Sequence, residues 1–243
     1  MKKIIKAVLG EKLYKVFAKT LITNRIQQTV KRLKEIRHQF NAEDAVSFLM
    51  HRAAKEVRPW QIYSEIQGLA RVIEEKKPKT VLEIGTADGG TLLLTSCLAD
   101  PEALMISIDL QDGQFGGGYP EWKRKLYQSF AKEKQQIILI QDDSHLPSIF
   151  EQLKHLLNGK TIDYLFIDGD HTYEGVKQDF EMYSPLVGKG GFIAFHDIAA
   201  DHGTPKTHFV HEFWNEIKSN YRYQEFVDNP GQSKCGIGVL FVD

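Results

Sequence analysis

Two cysteines in 243 residues, Cys97 and Cys235, exclude a disulfide framework, and their separation has neither metal-finger nor redox-pair spacing. A reducing compartment is implied. No apolar run approaches the roughly 18 residues of a bilayer-spanning helix. Lysines at positions 2, 3 and 6 break up the start of the chain, so no signal-peptide core can form there and the cytoplasm is the expected location. Internal repeats and low-complexity tracts are absent. Charge of one sign is also lacking overall, with a formal net charge of −1. What is present is an ordinary globular composition, 42% hydrophobic and 11% aromatic, enough for one α/β domain with an appendage.

The near-zero net charge hides an asymmetry. The first 38 residues carry eleven Lys or Arg against two acids, Glu11 and Glu35, so a basic arm precedes an acidic body. Within the arm Ile5, Leu9, Leu13, Val16, Phe17 and Leu21 recur at roughly helical spacing. The pattern predicts a helix that packs on the body or on a second copy of the chain, or that touches an anionic membrane surface. We take residues 1–58 as a basic helical N-terminal extension and residues 59–243 as the main domain. A homo-oligomer is expected. No nucleic-acid partner is expected, because the body is acidic where a phosphate track would be basic.

From Trp60 onward a helix runs to about Lys76, and strands and helices then alternate. The predicted strands are Thr80–Ile84, Leu104–Asp109, Gln136–Gln141, Asp163–Asp168 and Gly191–His196. Helical patterns fall near Thr91–Leu98, Pro120–Lys132, Leu146–Leu157 and Tyr173–Tyr183. Such alternation predicts a parallel sheet with helices on both faces. Tyr223–Val227 and Gly236–Val242 flank the turn Asp228-Asn229-Pro230-Gly231 and predict an antiparallel hairpin at the sheet edge.

The first strand ends Glu83-Ile84-Gly85-Thr86-Ala87-Asp88-Gly89-Gly90. A dinucleotide turn would read G-x-G-x-x-G with its acid about 20 residues later. Here the acid lies inside the strand and the glycines are spaced differently, which disfavours an NAD-dependent oxidoreductase. The pattern resembles motif I of class I S-adenosylmethionine (SAM) methyltransferases. That resemblance implies that Glu83, Gly85 and Gly89 face the amino-acid end of the cofactor. Ligands of open α/β sheets gather at the carboxyl ends of the strands. The second strand delivers Asp109 there, suited to ribose hydroxyls, and the third delivers Asp143 and Ser144, suited to the adenine amino group.

The fourth strand ends Phe166-Ile167-Asp168-Gly169-Asp170-His171 and the fifth ends Ala194-Phe195-His196-Asp197. Adjacent strands would bring Asp168 beside His196 and Asp197, and converging carboxylates repel unless protonated, paired or bound to a cation. This segment resembles metal-dependent small-molecule O-methyltransferases of the cephalosporin-methylation and macrolide-sugar group, a likeness covering about residues 60–243. It implies a Rossmann-like seven-stranded sheet and SAM as cofactor, with Asp168 bordering it. It also implies a divalent metal, magnesium first and manganese, iron or zinc as alternatives, held by Asp168, His196 and Asp197. His196 departs from the carboxylate usual at that position. His171 falls where related catechol-type enzymes carry a basic residue and would act as general base, with Asp170 as a second base or as its orienter. The acceptor implied is a hydroxyl of a small molecule, a sugar or natural-product scaffold. The alternative is a SAM-binding accessory protein without turnover. Two further segments could border the acceptor: the loop Gln114–Pro120, and the stretch from Asp201 through the helical face of His208, His211 and Asn215.

Overall fold

The computed structural model describes residues 2–37, 40–111, 117–132, 134–199 and 209–243, with side chains from residue 10 onward. Seven strands form one sheet: β1 (Thr80–Ile84), β2 (Leu104–Asp109), β3 (Gln136–Gln141), β4 (Ile162–Ile167), β5 (Val187–His196), β6 (Arg222–Phe226) and β7 (Ile237–Phe241). Their spatial order is β3-β2-β1-β4-β5-β7-β6. The first five pair in parallel, whereas β7 runs antiparallel to both β5 and β6. This is the predicted Rossmann-like sheet with its C-terminal hairpin.

Side-chain alternation along the strands supplies two cores. Val81, Met105, Tyr164, Phe166, Phe192, Ala194 and Val239 point to one face. There they meet α2 (Ala42–His51), α3 (Tyr63–Lys76) and α4 (Gly90–Leu98). Leu82, Ile84, Ile106, Leu165, Ile193 and Phe195 point to the other face. They meet α6 (Pro147–Leu157), α7 (Tyr173–Tyr183) and α8 (Val210–Ile217). Local chemistry sets the helix ends. Pro147 opens α6, Thr172 caps α7 by accepting from the Gly175 N–H, and α3 stops at left-handed Lys77 just before Pro78.

Two elements differ from the periodicity. The helix expected over Pro120–Lys132 is a 3₁₀ turn, Glu121–Lys123, followed by the short α5, Arg124–Gln128. Ser129 ends it, its hydroxyl donating to the Leu126 carbonyl while its N–H is shared between Lys125 and Leu126. β5 begins earlier than expected, at Val187, because Gly188 passes close to Thr161 and the pairing with β4 shifts register there.

The basic arm forms α1 (Lys2–Ile36), broken at Gly10, whose φ of 72° lies outside the helical region. Its C-terminal half does not stand apart from the body. Ile26, Val30 and Leu33 are buried in the same core as α2 and α4, and the Arg37 guanidinium donates to the Phe130 carbonyl at 2.8 Å. Leu13, Val16, Phe17 and Leu21, farther toward the N-terminus, stay exposed. Among the described residues no helix is long and apolar enough to cross a membrane.

Gly90, first residue of α4, permits a close approach of the chain segment that follows the extension. A Cβ there would stand 2.3 Å from the Pro59 nitrogen and 2.5 Å from its Cα. We expect Gly90→Ala to displace the 58–61 segment and cost about 1–3 kcal/mol, read as a lower urea midpoint at unchanged slope.

Candidate active site at the carboxyl edge of the sheet

A cavity of about 470 Å³ opens where the parallel strands end. Its first wall is the turn after β1. Gly85 adopts φ 96°, and a Cβ there would fall 2.1 Å from the Asp168 carbonyl oxygen, so only glycine lets the β1 and β4 ends lie this close. Ala87 is also left-handed, and Gly89 caps α4 at φ 75° with Tyr127 packed against it.

Asp109, at the end of β2, holds that turn. Its Oδ2 accepts from the N–H groups of Thr86 (3.1 Å), Ala87 (2.8 Å) and Gly118 (2.9 Å). Burial raises its pKa, and these same hydrogen bonds counter the rise. Oδ2 is thus engaged with backbone, and Oδ1 is the oxygen that faces Gly117 on the cavity wall.

After β3, Asp143 Oδ1 accepts from the His145 N–H at 2.9 Å, and Ser144 Oγ donates to Asp179 Oδ1 at 2.7 Å. Asp179 is fully buried on α7 and also lies 3.2 Å from His145 Nε2, which fastens the 143–145 loop from behind.

The far wall carries four titratable groups in mutual contact. Asp168 Oδ1 is 3.1 Å from His196 Nδ1 and 3.4 Å from His171 Nε2, while His171 Nδ1 is 3.2 Å from Asp197 Oδ2. Burial alone would raise the Asp168 pKa. The charge of His196 and the hydrogen bonds from both imidazoles outweigh it and hold the carboxyl at about 2. Burial would lower His171 and His196, yet both are raised, chiefly by Asp168. Asp197 sits at φ 61°, and its Oδ1 accepts from the Cys235 N–H at 3.1 Å.

Of the residues singled out in the sequence, Gly85, Asp109, Asp143, Ser144, Asp168, Asp170, His171, His196 and Asp197 all border this cavity. Glu83 and Gly89 do not. Strand alternation turns Glu83 toward the α3–α4 face, where it accepts from Ser107 Oγ at 2.9 Å. Gly89, between the lining residues Asp88 and Gly90, faces Tyr127 instead. Asp170 spends its bonds locally, accepting from the Thr172 N–H at the start of α7. His211 lies on α8 away from the cavity lining, as does Asn215. Residues 114–116 of the expected loop, the stretch 201–205, and His208 fall outside the described residues.

Sequence reasoning missed the segment before α3. Gln61 Nε2 donates to Asp168 Oδ2 at 3.0 Å, and Trp60 Nε1 to Asp88 Oδ2 at 3.3 Å. Lys123 pairs with Asp88 at 2.8 Å. The doubled glycine at 89–90 signals that something approaches the helix start, but nothing in the sequence says what.

Residues 82–198 match the family model for a methyltransferase domain. The O-methyltransferase of Bacillus cereus, solved in complex with SAH, superposes with TM-score 0.54 at 15% identity over 88% of this chain and 90% of its own. TomG of Streptomyces achromogenes, solved with SAM, gives 0.54 at 14% identity over 91% and 99%. Among curated proteins, an uncharacterized protein of Acanthamoeba polyphaga mimivirus is 36% identical over 132 residues, 54% of this chain and 57% of its own length. An uncharacterized protein of Sinorhizobium fredii is 23% identical over 179 residues, 70% of this chain and 18% of its own length. The rhamnosyl O-methyltransferase of Mycobacterium tuberculosis is 21% identical over 181 residues, covering 70% and 69%. The matched segment is similar to a methyltransferase domain, and the solved neighbours share its Rossmann-like methyltransferase fold.

Glu83 provides a test of the buried electrostatics. Burial pushes its pKa from 4.5 to about 8, against hydrogen bonds from Thr91 and Ser107. Between those values the folded state keeps a proton that the unfolded chain has lost, so stability falls as pH rises through this window. Glu83→Gln should flatten that slope, about 1.4 kcal/mol per pH unit, in urea melts between pH 5 and 8. Identical slopes in both proteins would show that Glu83 ionises normally in the fold.

Proposed function

We propose that this protein transfers the methyl group of SAM to a hydroxyl of a small molecule, with a sugar or natural-product scaffold as acceptor and with assistance from a divalent cation. The observation that carries this reading is the cavity itself. The glycine turn and Asp109 form one end, and Asp168, His171, His196 and Asp197 converge at the other. The likeness to a rhamnosyl O-methyltransferase supports a sugar hydroxyl as the acceptor class.

The residues suit both groups. A side-chain-free backbone at Gly85, beside Asp109 Oδ1, fits a nucleoside with an amino-acid tail. One donor atom from each of Asp168, His196 and Asp197 lies within 4.8 Å of the others, and two carboxylates suit magnesium or manganese. SAM supplies an electrophilic sulfonium methyl, and the cation would lower the pKa of the acceptor hydroxyl. The remaining work falls to the chain. Asp168, ionised at any physiological pH, orients His171 through Nε2, which leaves Nδ1, on the Asp197 side, as the nitrogen that takes up a proton. His171 removes the hydroxyl proton, and the oxygen so bared attacks the methyl carbon in line as S-adenosylhomocysteine leaves. Gln61 fixes the second oxygen of Asp168, and the 58–61 segment closes one side of the cavity against water. A SAM-binding role without turnover uses the same turn but leaves the far wall without a task.

We extend the proposal to partners. No nucleic acid is involved, and the exposed stripe of Leu13, Val16, Phe17 and Leu21 on the basic α1 contacts a second copy of the chain or an anionic membrane surface.

Calorimetric titration with S-adenosylhomocysteine should show one saturable site, weakened by Asp109→Asn about 10-fold or more through lost hydrogen bonds to a charged group. No binding by folded protein would remove the premise. With SAM and a rhamnose-bearing glycoside, turnover should fall on adding EDTA and return with magnesium or manganese.

The His171 shift has a definite sign. Because its pKa is raised above 6.5, the base form gains only above that pH, and kcat/KM should climb through it. His171→Asn should lose that limb and about 10²–10⁴-fold in rate. A variant keeping the wild-type pH profile would exclude His171 as the base.

A further inference from the structure

Three elements deliver side chains to one point behind the far wall. Alternation along β5 turns His196, like Phe192 and Ala194, toward the face covered by α3. Glu65 stands there in the first turn of α3, and Cys235 enters from the start of β7 with a left-handed φ of 64°. One ligand atom from each of Glu65, His196 and Cys235 lies within 4.8 Å of the other two.

The polar atoms at this point lack partners. Glu65 is fully buried; its Oε1 accepts from Gln232 Nε2, while no described residue hydrogen-bonds its Oε2. His196 is 7% exposed; its Nδ1 contacts Asp168, its ring also meets the Cys235 side chain, and no described nitrogen or oxygen hydrogen-bonds its buried Nε2. Buried polar atoms in a folded protein are almost always satisfied, so two orphans facing one thiol call for a ligand.

We propose that Glu65, His196 through Nε2, and Cys235 form a second, inner cation site with the donor set of zinc. A thiolate, an imidazole and a carboxylate make three of the four ligands of a tetrahedral zinc ion, and the thiolate selects against magnesium. The fourth position falls to water from the cavity, which Cys235 and His196 both border. A metal-bound histidine almost always donates its other ring N–H to a carboxylate, a backbone carbonyl or water. Asp168, 3.1 Å from Nδ1, already stands in that place. With Nε2 committed inward and Nδ1 on Asp168, His196 is withdrawn from the outer site proposed above, which keeps Asp168 and Asp197 as an all-oxygen donor pair. The inner site therefore links the catalytic carboxylate to α3 and β7.

Metal content and a spectrum test this without reference to methyl transfer. Full-length protein should retain one tight equivalent of zinc after dialysis, and cobalt-loaded protein should show a near-ultraviolet thiolate-to-cobalt charge-transfer band. Cys235→Ser should abolish the band, and Glu65→Gln should weaken zinc retention at least tenfold. Asp168→Asn should keep the band and weaken binding about 10–100-fold, as expected for a residue that orients a ligand. Cys97→Ser should change neither. No band in wild-type protein, a band surviving Cys235→Ser, or zinc lost in Asp197→Asn but kept in Glu65→Gln would each overturn the proposal. Should Cys235→Ser not fold by circular dichroism, the wild-type spectrum, Cys97→Ser and the near-isosteric Glu65→Gln decide it.

Discussion

Asp168 is the residue on which the site depends. Its backbone N–H donates to the Ile84 carbonyl at 2.8 Å, and its carbonyl oxygen occupies the space that forbids a side chain at Gly85. Its carboxylate meets Gln61 on one oxygen and two imidazoles on the other. One residue at the end of β4 therefore fixes the glycine turn, the segment entering α3, and the far wall. An ionised carboxylate this deep is tolerable only with several donors around it. The two histidines and Gln61 supply them, and in return their own orientations are fixed.

Three acids at successive strand ends are held in different states by their surroundings. Glu83 has neutral donors and no nearby cation, so burial wins and the proton stays. Asp109 lies between, its rise opposed by three backbone N–H groups. Asp168 has charged partners and stays ionised. The trend is one of the partners' charge, since all three acids sit at the same edge of the same sheet. The far wall thereby sets an ionised Asp168 against two imidazoles, while the carboxyl beneath the turn keeps its proton.

Much of this was legible in the sequence. Apolar runs ending in acids gave all five parallel strands to within a few residues, because a buried parallel strand must be apolar along its length and polar where it leaves the sheet. The turn Asp228–Gly231 gave the hairpin. Contacts between distant segments were not legible. Gln61 meets Asp168 across 107 positions and Gln232 meets Glu65 across 167, and each reads locally as an ordinary polar residue beside a helix or turn. Glu83 misled for a different reason. Its place in the motif suggests a cofactor contact, but period-two alternation points it into the α3–α4 face, behind the cavity wall.

The arm was also only half readable, and the reason bears on the site. Charge counting separates the first 38 residues from the body, yet packing does not: Ile26, Val30 and Leu33 share a core with α2 and α4, and α2 leads through Val57 to Trp60 and Gln61. A lysine-rich surface and an apolar underside coexist on α1, and composition registers only the first. Because Gly90 lets Pro59 rest on the start of α4, the position of Gln61, and with it one oxygen of Asp168, is set by how the extension packs. The packing of the extension is thus one of the determinants of the cavity wall, which Arg58 at its end joins directly.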